Sequence, residues 1–148
     1  MAVVSWCLVA CSGSETNEPP EIAYGLEECY HCRMIISEEG HAAAVDLGDG
    51  EFRKFDDIGC LLGSVRDLES APRQAWVHAA DSGEWLEATR AVFVVDQARM
   101  TPMGSGVVAS SSEAAARERV GTSETVYDWE GLVAAGLLLH TPDQENSG

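Results

Sequence analysis

Apolar and polar positions along this 148-residue chain change period several times, and each change marks an element. His41–Leu47 (HAAAVDL) and Glu51–Phe55 (EFRKF) flank Gly48-Asp49-Gly50, whose residues tolerate the positive φ of a tight turn, so the pair reads as a hairpin. Asp56-Asp57 then caps a helix in which Ile58, Leu61, Leu62 and Val65 fall on one face. Gln74–Ala80 and Glu84–Ala88 surround Asp81-Ser82-Gly83 as a second hairpin, and Ala91–Asp96 (AVFVVD) has the continuous β-branched and aromatic content of a buried strand. Gly106–Ser110 is a further strand. Ser112–Val120 opens on a Ser cap and is a helix; Asp128–His140 is another, with Trp129, Leu132, Val133 and Leu137 on its apolar face. Strands, helix, strands and helices in this order define an α+β fold.

The ends do not share this periodicity. Met1–Ala10 (MAVVSWCLVA) is almost wholly apolar, yet at about ten residues it is half the roughly 20 that span a bilayer. Leu8-Val9-Ala10-Cys11 resembles a lipobox, which assigns residues 1–11 to a lipoprotein signal segment and Cys11 to lipidation. No Lys or Arg precedes Arg33, so the expected positive n-region is missing, as when a start is placed too far downstream. Residues 12–21 (SGSETNEPPE) read as a flexible tether, residues 22–140 as the folded domain, and residues 141–148 as a polar tail.

Composition narrows the function. Twenty-five acidic against nine basic residues give a formal charge of −16, which repels phosphate backbones and argues against nucleic-acid binding. Of five cysteines, Cys7 and Cys11 lie in the signal segment, leaving Cys29, Cys32 and Cys60, too few for a disulfide framework. Cys60 sits in an apolar helix face and reads chiefly as a small buried hydrophobe, with ligation as the second reading.

Cys29-Tyr30-His31-Cys32-Arg33-Met34 is the densest chemistry in the chain. A Cys-x-x-Cys pair suits structural zinc, but the second pair of ligands is absent, so zinc would recruit His31, His41 or Cys60 singly. It also suits dithiol redox chemistry, but no strand-to-helix context lowers a thiol pKa here. Met34 shifts the balance, because a thioether binds Cu(I) well and zinc poorly. Met103 lies in Thr101-Pro102-Met103-Gly104-Ser105-Gly106, a Pro- and Gly-bounded loop that is an odd place for a core methionine. Cys32, Met34 and Met103 therefore form a candidate soft-metal set, with Cys29 and His31 as further candidates. His41 is open between ligand and surface, and His78, inside a strand, reads as structural.

The run CYHCRM, with His41-Ala42-Ala43, Phe55-Asp56-Asp57-Ile58-Gly59-Cys60-Leu61, Trp76-Val77-His78, Ala91-Val92-Phe93-Val94 and Thr101-Pro102-Met103-Gly104-Ser105-Gly106, resembles the NosL family of copper-binding lipoproteins from about Glu28 to Val133. The resemblance implies two small related strand-strand-helix units, a fold also like that of the organomercurial lyase MerB. It implies an extracytoplasmic lipoprotein, facing the periplasm on a lipid anchor, that holds Cu(I) and delivers it to a maturing cuproenzyme, nitrous oxide reductase. Carried over by motif, Cys32 and Met34 match the family's Cys-x-Met element, and Met103 matches the methionine of its Thr-Pro-Met-Gly element. Arg33 stands where family members commonly have Gly, and Cys29 adds a second thiol that is a ligand, a disulfide partner or a spectator. The implied mechanism is ligand exchange, not catalysis. Two other classes stay open: a MerB-like lyase or dithiol enzyme using Cys29 and Cys32, with Asp57 as its candidate acid, and a zinc-stabilised interaction domain.

Overall fold

The computed structural model describes residues 17–48, 50–120 and 125–139; the signal segment with Cys11, Ser12 to Thr16 of the tether, Asp49, His140 and the polar tail lie outside the described residues. The first unit contains β1 (Ala43–Gly48), β2 (Glu51–Phe55), α1 (Ile58–Arg66), β3 (Gln74–His78) and a short β4 (Trp85–Glu87). The second contains β5 (Val92–Val95), β6 (Val107–Ser110), α2 (Glu113–Val120) and β7 (Val126–Tyr127), and α3 (Trp129–Leu139) follows. The sheets run β2-β1-β3-β4 and β6-β5-β7. In both, the first strand is central and antiparallel to the second strand on one side and to the third on the other. A helix joins the second strand to the third each time. The fold is thus α+β with one topology used twice.

Local chemistry explains most boundaries. Gly48 and Gly50 turn the first hairpin at φ +97° and +80°, where a side chain would be strained. Asp57 caps α1 by accepting the Gly59 N–H at 2.6 Å, and Ser112 Oγ accepts the Ala115 N–H at 3.2 Å at the head of α2. Two of the boundaries that differ from the sequence expectation are set by short 3₁₀ turns. His41 ends a 3₁₀ turn, Glu39–His41, so β1 starts at Ala43; Ala88 opens a second such turn, Ala88–Arg90, instead of extending β4. β7 was not expected, because two residues are too few to show a period of two.

One core serves both units. Phe55, Ile58, Leu61, Val77, Phe93, Val107 and Leu132 are buried together in it, with Cys29 and Cys60 among them. The sheets meet at a parallel bridge between Ala79 and Ala109, where the Ala80 N–H donates to the Ala109 carbonyl at 2.9 Å. A smaller cluster of Val94, Val108 and Ala116 lies under α2. Gly136 on α3 lets Leu62 of α1 approach, since a Cβ there would fall 3.4 Å from Leu62 Cδ1. No helix of the described residues is long and apolar enough to cross a membrane.

His78 is structural, as its strand position suggested. It is 2% exposed, its Nδ1 faces the Gly83 carbonyl at 2.9 Å and its ring lies 3.9 Å from that of Trp85. A carbonyl only accepts, so Nδ1 carries the proton and Nε2 accepts from the Tyr24 hydroxyl at 3.4 Å. Burial depresses the His78 pKa. In the unfolded chain the imidazole protonates near its ordinary value of about 6.5, while the native state still excludes the proton, so stability falls as pH drops through that window. Urea titrations at several pH values check this: His78→Phe should show a flatter loss of stability below about pH 6.5 than the parent chain. Parallel curves would assign the acid sensitivity elsewhere.

Candidate metal site

Residues 29–34 form a closed knuckle. The Cys29 N–H donates to the Met34 carbonyl at 2.7 Å, the Arg33 N–H to the Cys29 carbonyl at 3.0 Å, and Glu28 and Ile35 form a β-bridge below the loop. Arg33 makes the turn at φ +66° and, among the described residues, is the one non-glycine with positive φ. A side chain in this region costs on the order of 1–2 kcal/mol. The knuckle is seated on β2 by the Tyr30 N–H to the Lys54 carbonyl at 2.9 Å and by the ion pair of Lys54 Nζ with Glu27 at 2.6 Å. Arg53 lies over the Tyr30 ring, 4.2 Å from its centre.

This seating brings Cys29 and Cys32 to the first turn of α1, where Cys60 points at them. The three sulfur atoms all lie within 4.8 Å of one another, and all three cysteines are free thiols. Beside them is a cavity of about 770 Å³ lined by His31, Cys32, Cys60, Leu62, Arg66 and Met103, among others. Two glycines on α1, four residues apart, make room for it. A Cβ on Gly63 would fall 2.8 Å from His31 Cε1, and one on Gly59 would fall 2.4 Å from Ser105 Cβ.

The thiols share one negative charge unequally. Cys29 is completely buried, yet its pKa is lowered to about 5, because the Cys60 thiol donates to it and the backbone N–H groups of Cys32 and Asp56 add to this against the cost of burial. Cys60 is pushed up, first by donating to Cys29 and then by burial. Burial also raises Cys32, helped by the Cys29 charge and opposed by the Met34 N–H. Asp56, 3% exposed, is raised mainly by burial. One thiolate flanked by two thiols is a donor set suited to a soft cation.

The structure therefore gathers Cys29, Cys32, His31 and Met103 on one side of the fold and adds Cys60. Met34 is placed differently: it is 55% exposed, does not line the cavity, and serves the knuckle through its carbonyl and N–H. His41 lies apart, with Nε2 3.7 Å from Glu38. The sequence reading of Cys60 as chiefly core was right about its burial but missed its neighbours. The available signal was the pair Gly59 and Gly63, each costing a helix about 0.5–1 kcal/mol relative to Ala and so marking a close approach.

Fold and cavity together define a two-unit α+β protein with a sulfur-lined pocket between a knuckle, a helix head and a loop. The chain belongs to the NosL family, whose model, described as NosL, matches residues 24–124. Among solved structures it is similar to one described as the copper chaperone NosL from Shewanella denitrificans, with 20% identity and a TM-score of 0.62. That likeness, one of fold, covers 76% of this chain and 96% of the other. No match is found among curated proteins.

Thiolate absorbance in the metal-free protein tests the shared charge. One thiolate should appear as pH rises through about 5 and vanish in Cys29→Ser. Cys60→Ala, which removes the largest stabilising donor, should move that midpoint upward, and an unmoved midpoint would assign the charge to other donors.

Proposed function

We propose that this chain is a Cu(I) carrier that holds one ion at the sulfur cluster and passes it to a maturing cuproenzyme, nitrous oxide reductase being the client. The carrying observation is the convergence of Cys29, Cys32 and Cys60 within 4.8 Å, with Met103 lining the adjoining cavity. The similarity in fold to a protein described as a copper chaperone supports the same reading. Copper here is cargo, and the work done is ligand exchange, so the chain acts as a carrier and not as an enzyme.

The burial gradient suits exchange. Cys29 and Cys60 are buried, Cys32 is half-buried, and Met103 and Met34 are 41% and 55% exposed. Thiolate and thioether donors are soft and match Cu(I), which accepts low coordination numbers and leaves room for an incoming ligand. A client would displace the outer Met103 thioether first and the inner thiols last. In this reading residues 1–11 direct export and Cys11 carries the lipid, residues 12–21 hold the domain 22–140 off the membrane on its periplasmic side, and the acidic surface orients a cationic client.

A second reading has its own observation. His31 lines the same cavity as Cys32 and Cys60, so with Cys29 the site offers a Cys₃His set suited to zinc. A structural zinc site predicts unfolding on metal removal, whereas a carrier stays folded as apo-protein.

Competition against a chromogenic chelator under reducing conditions separates them. The chain should retain one Cu(I) in preference to Zn(II) and remain folded without metal. Met103→Leu should weaken retention at a stability cost below about 1.5 kcal/mol, and Cys32→Ser should weaken it further, since a hydroxyl does not ionise to a soft anion. Equal or better retention of zinc would defeat the copper reading. The anchor has its own test: Cys11→Ser, expressed behind a complete export signal, should shift the protein from the membrane to the soluble fraction.

A further inference from the structure

Met103 lines the cavity beside the sulfur cluster from the second unit, across the junction with α1, and its backbone is tied there by one side chain. Asp57 is completely buried. Its Oδ2 accepts the Met103 N–H at 3.0 Å, and its Oδ1 accepts both the Ser105 hydroxyl at 2.5 Å and the Gly59 N–H at 2.6 Å. The loop is also braced from within, by the Gly104 N–H to the Thr101 carbonyl at 2.9 Å and the Val107 N–H to Ser105 Oγ at 3.2 Å. Gly104 and Gly106 turn it at φ +69° and +68°. Gly59 admits the loop because it has no Cβ to meet Ser105.

We infer that Asp57 is a positioning residue for the metal site, one that fixes the Met103 thioether against the Cys32 and Cys60 thiols by clamping the Met103 loop to the head of α1. This rests on the Cu(I) reading above and deepens it. An N-cap needs only one acceptor for the Gly59 N–H, which Ser or Asn provides equally well. The second carboxylate oxygen has no capping task. It holds the loop that presents Met103, while the residue three positions along, Cys60, is aimed by the helix that Asp57 caps. One residue thus sets both sides of a site assembled from two units, and groups that orient metal ligands in this way typically govern about 10–100-fold in affinity.

Asp57→Asn and Asp57→Ser separate clamp from cap. Asn keeps one acceptor oxygen for Gly59 and Ser105 but turns an N–H₂ toward Met103; Ser still caps but is too short to reach the loop. Cu(I) affinity by chelator competition is measured for each, alone and combined with Met103→Leu, beside the thermal midpoint. The Met103 methyl resonance of the apo-protein, labelled at methionine and assigned by its loss in Met103→Leu, is followed in parallel. Both Asp57 variants should lower Cu(I) affinity about tenfold or more when Met103 is present and by less than about twofold in the Met103→Leu background. The Met103 methyl should sharpen and move toward the position of an exposed methionine. Equal losses in both backgrounds, or a Met103 methyl unchanged by both substitutions, overturn the inference. If the parent chain takes up no Cu(I), the carrier reading falls, while the methyl resonance still decides whether Asp57 places Met103.

Discussion

The corner between β2 and α1 is the constraint on which the site depends. Two adjacent aspartates there are buried, and each holds a different piece of chain. The Asp56 carboxylate accepts the Ser37 N–H at 3.2 Å while its own backbone N–H turns toward the Cys29 sulfur. Asp57 holds the helix head and the Met103 loop. The first grip adds to the seat that Lys54 gives the knuckle, and the second ties the Met103 loop of the second unit to the head of α1. Burying two carboxylates side by side is costly unless their lone pairs are occupied, and the donors that occupy them are those that shape the site.

Much of the fold was legible in the sequence because the signals were local. Gly48 and Gly50, the Asp57 and Ser112 caps and the apolar run of β5 each specify their element without help from distant residues. The doubling into two units of like topology came through the family resemblance, since no repeated motif reveals it. The site was legible in part. Cys29, Cys32 and His31 are neighbours in sequence, and Met103 stood out by its setting. Cys60 was hidden because a thiol on an apolar helix face looks the same in sequence whether it meets leucine or two other thiols. Met34 shows the opposite limit: two residues from Cys32 in the motif, it is exposed and does not line the cavity.

Charge explains why the trio is not simply core. Three thiols in an apolar interior would stay protonated, but here the Cys60 thiol first, and then the N–H groups of Cys32 and Asp56, donate to Cys29 and stabilise a thiolate at zero exposure. That charge in turn raises the pKa of Cys32 and Cys60, so the metal-free site stores a single negative charge and two protons. A monovalent soft cation entering this site neutralises the charge without needing either proton to leave. A divalent cation that recruits all three thiolates must expel both and leaves a net charge of −1 in a buried place. For the proposed Cu(I) cargo, that balance adds an electrostatic reason to the preference of sulfur for soft ions.

Release follows from the same geometry. A carrier that bound its cargo through three buried thiolates alone would hold it against any client, and one that used exposed thioethers alone would lose it to solvent. Here Cys29 and Cys60 are fixed in the core, while Met103 sits on a loop held by hydrogen bonds to Asp57. In the proposed carrier, binding strength and exchange would fall to different parts of the fold: retention to the knuckle and α1 in the first unit, access to the Met103 loop in the second. The doubled topology is what makes this division available, because a site built within a single unit would have no junction at which one ligand yields while the others stay in place.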